Sequence, residues 1–326
     1  MKRRTFIAGL GSAAVWPMVA RAQEVKRLGV LGGTESDPGL QLFRTLLVEG
    51  LRKLGWIAGQ NLRIEMRWSG DDRNLRSAYA RDLVDLFKPD VLLGSSTANL
   101  IALQRATGTI PIVFINVADP LKQGLVSNLA RPGGNITGFA NLEVSIASKW
   151  IDLLKKMVPS IARVAFLFNP ETAPANRLFV SAAADAGQLL DVDVTMAEWK
   201  TSEEIEATLM RFAHQSNVGL IFPPDIFSFS HLKIIVDAVE RYRLPAMYAG
   251  EEFVSHGGLM QYHRDVTEVY RRVPFYIDRI LRGTKPGDLP VQMPTRFRFT
   301  INRKTASTLG IDVLLGLLLA ADEVIQ

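Results

Sequence analysis

The sequence contains no cysteine. Disulfides, thiolate metal sites and a cysteine nucleophile are therefore excluded, and a large hydrophobic core has to stabilise the chain. Four histidines occur, at positions 214, 231, 256 and 263, and none has the spacing of a metal-binding pair. A Gly-x-Ser-x-Gly nucleophile elbow and a His-Glu-x-x-His motif are also missing. We therefore expect no cofactor, no metal site and no enzyme of these classes.

The sequence also lacks an apolar run long enough to cross a membrane, which takes roughly 20 residues. The run at residues 5–20 is shorter and is broken by two glycines and a proline. It follows the pair Arg3-Arg4 and ends in Ala20-Arg21-Ala22, which is the pattern of a signal peptide with an A-x-A cleavage site. The arginine pair resembles a twin-arginine export signal, although a general secretory signal has a similar pattern. We expect cleavage after Ala22 and a periplasmic protein without a membrane anchor.

A strong charge of one sign is absent from the remaining chain. Residues 1–22 contain four basic residues and no acidic one, so 34 basic residues face 33 acidic ones after their removal. Nucleic-acid binding requires a basic field that this balance does not provide. The sequence therefore predicts no nucleic-acid partner.

Two successive series of strands and helices fill the rest of the chain. Short apolar runs alternate with segments in which leucine, isoleucine or valine recurs every three or four residues. The runs predicted as strands are 27–33, 62–68, 90–94, 112–116, 163–168, 192–196, 218–222, 245–248 and 259–262. Several are apolar throughout, as strands covered by helices on both faces are. The pattern predicts an α/β protein with two doubly wound parallel-sheet lobes.

Ligands of open parallel sheets bind beside the carboxyl ends of the strands. In the first half, the residues that follow strands are small or polar, and the candidates are Thr34, Ser36, Ser95, Ser96, Thr97, Asn116 and Asp119. The turn at residues 94–97 opens a helix, whose exposed amides can hold a carboxylate. The alternative interpretation is that Ser96 or Thr97 only caps this helix.

In the second half, the corresponding loops contain acids and aromatic residues. The candidates are Asn169, Asp225, Phe227, Tyr248 and Glu251. Asp225 and Glu251 can bind an ammonium group, while Phe227 and Tyr248 can enclose an apolar side chain. The alternatives are that both rings belong to the core and that Asp225 caps the following helix.

Several strings together resemble one family, the periplasmic substrate-binding proteins of ABC transporters, whose members include tryptophan-binding receptors. These strings lie at residues 110–114, 119–120, 124–126, 131–138, 257–259, 280–283, 288–291, 301–306 and 321–325. The resemblance implies a type I periplasmic-binding-protein fold in which the chain crosses between the lobes three times. We expect lobe 1 to comprise 23–140 and 263–283, and lobe 2 to comprise 141–262 and 284–326.

The resemblance implies a monomeric receptor that closes around a small organic ligand and delivers it to the permease subunits of an importer. Many relatives carry Tyr-Gly where Tyr262-His263 stands. The ligand therefore stays open among amino acids, aromatic acids and other small carboxylates, as does contact between His263 and the ligand. Two other functions remain: a periplasmic enzyme with Asp225 or Glu251 as base, and a module that presents its ligand to a sensory receptor.

Overall fold

The computed structural model describes residues 25–35 and 38–326, which form two α/β lobes. The predicted signal peptide at residues 1–22 lies outside the described residues, and so does the candidate Ser36. No helix in the described part of the chain is long and apolar enough to span a membrane.

Lobe 1 contains a five-stranded sheet in the order β2-β1-β3-β4-β5, with every neighbouring pair parallel. The strands are β1 (Lys26–Gly32), β2 (Leu62–Trp68), β3 (Val91–Ser95), β4 (Ile112–Val117) and β5 (Ile136–Ala140). The helices that follow the first three strands are α1 (Pro38–Lys53), α2 (Arg73–Asp82) and α3 (Thr97–Ala106). The central strand β3 is buried at every residue and its neighbour β4 at every residue but Asn116, which explains their continuous apolar runs.

Lobe 2 contains a seven-stranded sheet in the order β12-β11-β10-β9-β8-β6-β7. Its strands are β6 (Arg163–Phe168), β7 (Asp193–Glu198), β8 (Val218–Phe222), β9 (Ala246–Tyr248), β10 (Met260–Arg264), β11 (Phe297–Asn302) and β12 (Glu323–Ile325). Its helices are α4 (Ile146–Met157), α5 (Asn176–Leu189), α6 (Glu203–Ala213), α7 (Ile226–Ser230), α8 (Leu232–Arg241), α9 (Glu251–Ser255), α11 (Arg303–Leu309) and α12 (Leu315–Ala320). The sheet is parallel except that β11 runs antiparallel to β10.

The chain crosses between the lobes three times: after β5, after β10 and before β11. Helix α10 (Val266–Leu281) follows β10 and packs against α1 of lobe 1, where the rings of Tyr270 and Phe43 meet edge to face at 5.1 Å. The second crossing therefore begins after Arg264, and His263 still pairs within the sheet of lobe 2.

The third crossing lies later than residue 283, where the sequence pattern placed it. A 3-10 turn at Pro286–Asp288 follows α10 and stays on lobe 1. Thr137 Oγ1 on β5 donates a hydrogen bond of 2.7 Å to the carbonyl oxygen of Leu289, whose side chain is fully buried in the core of lobe 1. Because Val291 also packs in lobe 1, the chain leaves this lobe after that residue.

The backbones of β4 and β5 approach each other closely at Gly138, which lies opposite Phe114. A Cβ atom on Gly138 would lie 2.2 Å from the carbonyl oxygen and 2.6 Å from the amide nitrogen of Phe114. Both atoms belong to a buried strand in a close-packed interior, so they cannot move aside independently. Gly138→Ala is expected to lower the free energy of unfolding by about 2–3 kcal/mol, measured by chemical denaturation.

A matched control is Gly316→Ala in α12, where a Cβ atom meets nothing within 4 Å. This change is expected to leave stability unchanged or to raise it by up to about 1 kcal/mol, because alanine favours helices. Equal stability of the two variants would contradict the proposed clash at Gly138.

Candidate functional site

A cavity of ≈ 130 Å³ lies between the two lobes. Its walls are the loops that follow β1, β3 and β4 in lobe 1, and those that follow β6, β8 and β9 in lobe 2. Residues from β10 and the start of α10 close it on the side of the crossing. Because a water molecule occupies roughly 10–15 Å³ on this measure, the cavity has room for roughly ten water-sized groups. This is the volume of a small organic ligand.

The two lobes touch each other directly across this cleft. Thr34 Oγ1 of lobe 1 and Ser230 Oγ of lobe 2 form a hydrogen bond of 2.7 Å. His231 Nδ1 lies 3.7 Å from a carboxylate oxygen of Asp71 in lobe 1. These contacts join residues of opposite lobes, so the lobes are closed on each other in this structure.

The structure brings seven of the candidates to the cavity: Thr34, Ser95, Ser96, Thr97, Asn116, Asp225 and Glu251. Four others do not line it: Asp119, Asn169, Phe227 and Tyr248. The first group contains members from both lobes, as a cleft between lobes requires.

The loop after β3 presents the start of α3 to the cavity. Ser95, Ser96 and Thr97 are all buried, and Ser96 Oγ accepts a hydrogen bond from the amide of Asn99 at 3.2 Å. The capping interpretation therefore accounts for the Ser96 hydroxyl. Ser96 also has a φ of 136°. Such backbone conformations are costly for residues other than glycine and cluster at binding sites.

Asn116 lies near the end of β4 and Asp119 follows this strand, and their side chains make different contacts. Asn116, with a φ of 60°, lines the cavity, and its Oδ1 accepts a hydrogen bond from Arg264. Asp119 Oδ1 instead accepts from the amide of Lys122 at 3.1 Å and stabilises a local turn away from the cavity.

Asp225 in lobe 2 uses both carboxylate oxygens to join its own loop, after β8, to the loop after β6. Its Oδ1 accepts from Thr172 Oγ1 and from the amide of Phe227 at 3.0 Å, so the residue caps α7. Its Oδ2 accepts from the amide of Asn169 at 2.9 Å and from Ser228 Oγ at 3.1 Å. Burial raises the pKa of Asp225, while these four donors oppose that rise. A role for Asp225 as the direct partner of an ammonium group is therefore corrected to one of organising the loop.

Phe227 and Tyr248 lie in the hydrophobic core of lobe 2 rather than at the cleft. Tyr248 is fully buried, and its ring stacks on Phe222 and Phe253, each at 4.9 Å. Phe227 packs against Trp199 at 6.1 Å. Tyr248 lies on β9, which is buried at every residue, and Phe227 lies on the buried face of α7. The prediction that Phe227 and Tyr248 enclose an apolar side chain of the ligand is therefore wrong, and both rings belong to the core.

The other lobe 2 candidates differ in their exposure. Glu251, at the start of α9, lines the cleft and is exposed, and Arg298 Nη1 lies 3.5 Å from its Oε1. Asn169 is buried behind the cavity, where its Oδ1 accepts from the amide of Glu171 at 2.8 Å. Of the lobe 2 candidates, Glu251 alone offers the cleft a carboxylate that is not used as a cap.

Two cavity residues on β10, Gln261 and Arg264, were missed from the sequence, and a third, His263, was left open as a ligand contact. His263 Nε2 lies 3.1 Å from Asn141 Oδ1, and burial, followed by the neighbouring charge of Arg264, lowers the pKa of His263 to about 3. His263 is therefore neutral near pH 7. The departure from Tyr-Gly at positions 262–263 was the available signal, and it pointed to the correct strand.

The described residues contain no group of three or more His, Asp or Glu side chains arranged to hold a metal ion. The polar side chains of the cleft carry hydroxyls, amides, carboxylates, guanidinium groups and the imidazole of His263. These groups suit the recognition of a polar organic molecule.

A family model described as ABC transporter substrate binding protein matches residues 34–325. The chain belongs to this family. It has the two parallel-sheet lobes of a type I periplasmic binding protein, and it is the substrate-binding protein of an ABC transporter.

Two relatives illustrate the similarity of this substrate-binding protein. A tyrosine-binding protein of Clostridioides difficile is 25% identical over 294 residues, which cover 90% of this chain and 83% of the relative. A solved structure from Streptococcus pneumoniae in complex with L-Trp is 25% identical, with a TM-score of 0.82 and coverage of 92% of this chain and 99% of that chain.

A third comparison concerns the arrangement of the lobes. A ligand-free, open substrate-binding protein from Clostridium difficile is 24% identical and covers 93% of this chain and 99% of its own, yet its TM-score is 0.66. The sequence identity and the coverage are nearly the same as those of the L-Trp complex. The lower TM-score therefore reflects a difference in overall shape. The overall shape of this chain is closer to that of the complex than to that of the open structure.

Proposed function

We propose that this substrate-binding protein works outside the cytoplasmic membrane as a monomer, binds an amino acid or another small carboxylate, and delivers it to a membrane permease. The observation that carries this proposal is the cavity between the lobes, which is walled by the carboxyl edges of both sheets. The relatives whose names mention tyrosine and L-Trp support an amino acid as ligand. The protein acts by binding rather than by catalysis.

The start of α3 is the proposed site for the ligand's carboxylate. Ser95, Ser96 and Thr97 line the cavity there, and the amides at a helix N-terminus favour an anion. The opposite wall provides Glu251, which is the proposed partner for an ammonium group when the ligand has one. The ligand would therefore touch both lobes.

Contact with both lobes gives a mechanism of closure. A ligand that binds the closed state more tightly than the open state shifts the population toward closure. The open form would load the ligand, and the closed form would be recognised by the permease. The hydrogen bond between Thr34 and Ser230 forms only when the lobes meet, so it contributes to the closed state alone.

The test of this proposal starts with native mass spectrometry of the protein purified from cells, followed by a thermal-shift screen of amino acids and small acids. A ligand at 100 times its dissociation constant stabilises a protein by about 2.7 kcal/mol. Small-angle scattering with the best ligand is then expected to show a smaller radius of gyration than without it. Conversion of the ligand to a product would favour an enzyme instead, and unchanged scattering with saturating ligand would rule out closure.

The contact between the lobes gives a separate prediction. Ser230→Ala removes one partner of the Thr34 hydrogen bond, so the closed state is expected to lose about 1 kcal/mol relative to the open state. Ligand affinity should fall by roughly fivefold, measured by calorimetry. Ser307→Ala, an exposed serine on α11, is the control and should bind as the wild type does. Equal affinities for the two variants would show that this contact does not stabilise closure.

A further inference from the structure

Arg264, the last residue of β10, is a buried guanidinium group at the second crossing, only 3% exposed. Its Nε donates to Asn141 Oδ1 at 2.7 Å, and its Nη2 donates to Asn116 Oδ1. Its Nη1 has no hydrogen-bond partner among the described residues. Arg264 lines the cavity, so a residue with an unpartnered cationic donor stands at the wall of the cleft.

The positive charge of Arg264 is not neutralised by its hydrogen-bond partners, which are both uncharged amides. Burial lowers the pKa of Arg264, and Tyr270, Asp265 and Glu252 oppose this. The carboxylate of Asp265 caps α10, where its Oδ1 accepts from the amide of Thr267 at 2.9 Å. An arginine stays protonated in proteins, and a buried cation without a partner is costly. An anion in the cavity would relieve this cost.

The guanidinium lies beside the start of α3. Ser95 on β3 pairs with Ile115 on β4, so the next residues, Ser96 and Asn116, lie at the same level near the ends of neighbouring strands. Arg264 hydrogen-bonds Asn116 and lines the same cavity as Ser96. The positive end of the α3 dipole and the guanidinium therefore face one space, and both favour negative charge.

Gln261, three residues earlier on β10, has an unpartnered acceptor where Arg264 has an unpartnered donor. Its Nε2 donates to Thr300 Oγ1 at 3.0 Å, while its Oε1 is buried without a partner in the described part of the chain. Gln261 also lines the cavity. The Cα atoms of residues three apart on a strand are separated by roughly 10 Å. The cleft wall thus contains one residue with an unpartnered donor and one with an unpartnered acceptor.

We propose that Arg264 binds the carboxylate of the ligand and that Gln261 accepts a hydrogen bond from an N–H or O–H group elsewhere on the same ligand. The receptor then selects small carboxylic acids that carry a second hydrogen-bonding group, whether amino or hydroxyl. This inference rests on the proposed function and adds the residues that decide the ligand class.

The first test compares ligands on the wild-type protein. The aromatic probes are L-tyrosine and 3-(4-hydroxyphenyl)propionate, the methyl esters of these two acids, 3-phenylpropionate and tyramine. The aliphatic probes are L-leucine, 2-hydroxy-4-methylpentanoate and the methyl esters of these two acids. In whichever carbon skeleton binds, each ester or amine is expected to bind at least about 30-fold more weakly than the acid. An acid without a second polar group is expected to bind roughly tenfold more weakly than its hydroxylated partner.

The second test uses variants. Arg264→Gln is expected to weaken acid binding by about 30-fold or more, while Arg264→Lys keeps the charge and recovers part of the affinity. Arg241→Gln removes an exposed surface arginine that pairs with Glu206, and should bind as the wild type does. If Arg264→Gln does not fold, the ligand series on the wild type decides.

The outcomes separate this inference from the proposed function. An ester or amine that binds within threefold of its acid overturns the role of Arg264 while leaving a binding protein. If no probe binds, the metabolite found by native mass spectrometry is tested in their place. A metabolite that has an acidic group, and whose methyl ester binds weakly, supports the inference. A metabolite without an acidic group overturns it. A protein that neither retains a metabolite nor closes with any probe overturns the proposed function itself.

Discussion

Asp225→Ala is expected to lower the free energy of unfolding by about 4 kcal/mol. The carboxylate is fully buried and accepts hydrogen bonds from the amides of Asn169 and Phe227. It also accepts from the hydroxyls of Thr172 and Ser228. Each donor left without an acceptor inside the protein costs about 1–3 kcal/mol, and the hydroxyls recover part of this by rotating. Chemical denaturation of the two proteins measures the difference.

The matched variant is Asp225→Asn, which keeps one acceptor oxygen but turns a donor toward two of the four donors. It is expected to lose about half as much stability as the alanine variant. The loss should appear without ligand, because the carboxylate joins the loops after β6 and β8 within lobe 2. A stable Asp225→Ala protein whose only defect is weak binding of ligands with an ammonium group would contradict this account and restore the direct role.

Acid is expected to destabilise the protein through His263. The imidazole is neutral in the folded protein because burial, reinforced by Arg264, lowers its pKa to about 3, whereas the ordinary pKa is near 6.5. As the pH falls below 6.5, the His263 imidazole becomes protonated in the unfolded chain but stays neutral in the folded chain. The contribution is therefore complete above pH 6.5 and is lost as the pH falls toward 3, at about 1.4 kcal/mol per pH unit and about 5 kcal/mol in all.

The control for this prediction is His263→Gln, which does not titrate and whose amide can donate to Asn141. Stability is measured for both proteins from pH 7 to pH 4, and the difference between the two curves is taken, so that carboxylates titrating in the same range cancel. The wild-type curve should fall more steeply with acid. Parallel curves, or an imidazole that titrates near pH 6 by NMR, would show that His263 is accessible to protons in the folded state.

Most of the fold follows from the sequence because burial on both faces leaves continuous apolar runs. Val91–Ser95 and Val218–Phe222 are buried at every residue, and both were predicted as strands. The antiparallel strand β11 was not predicted, since it lies beside the crossing and its register depends on β10. The third crossing was placed too early because Pro286–Asp288 reads as a loop, whereas Thr137 holds the following residues on lobe 1.

The site follows from the sequence less completely. The edge of each sheet was predicted, since topology places strand ends together, and loop residues such as Ser96 and Glu251 do line the cavity. Which way a side chain points from such an edge depends on packing, and Tyr248 turns into the core for that reason. Arg264 was missed because a charged residue at the end of a strand usually lies in solvent, and only the tertiary structure buries it.

The guanidinium of Arg264 donates hydrogen bonds to the side-chain amides of Asn116 in lobe 1 and Asn141 at the first crossing. The backbone of Arg264 belongs to lobe 2. A group at the axis of a hinge travels least when the halves swing apart. The charged part of the site is thus assembled before the lobes close. Ionic strength should therefore mainly change the association rate of the ligand, while the contacts between the two lobes should set its dissociation rate.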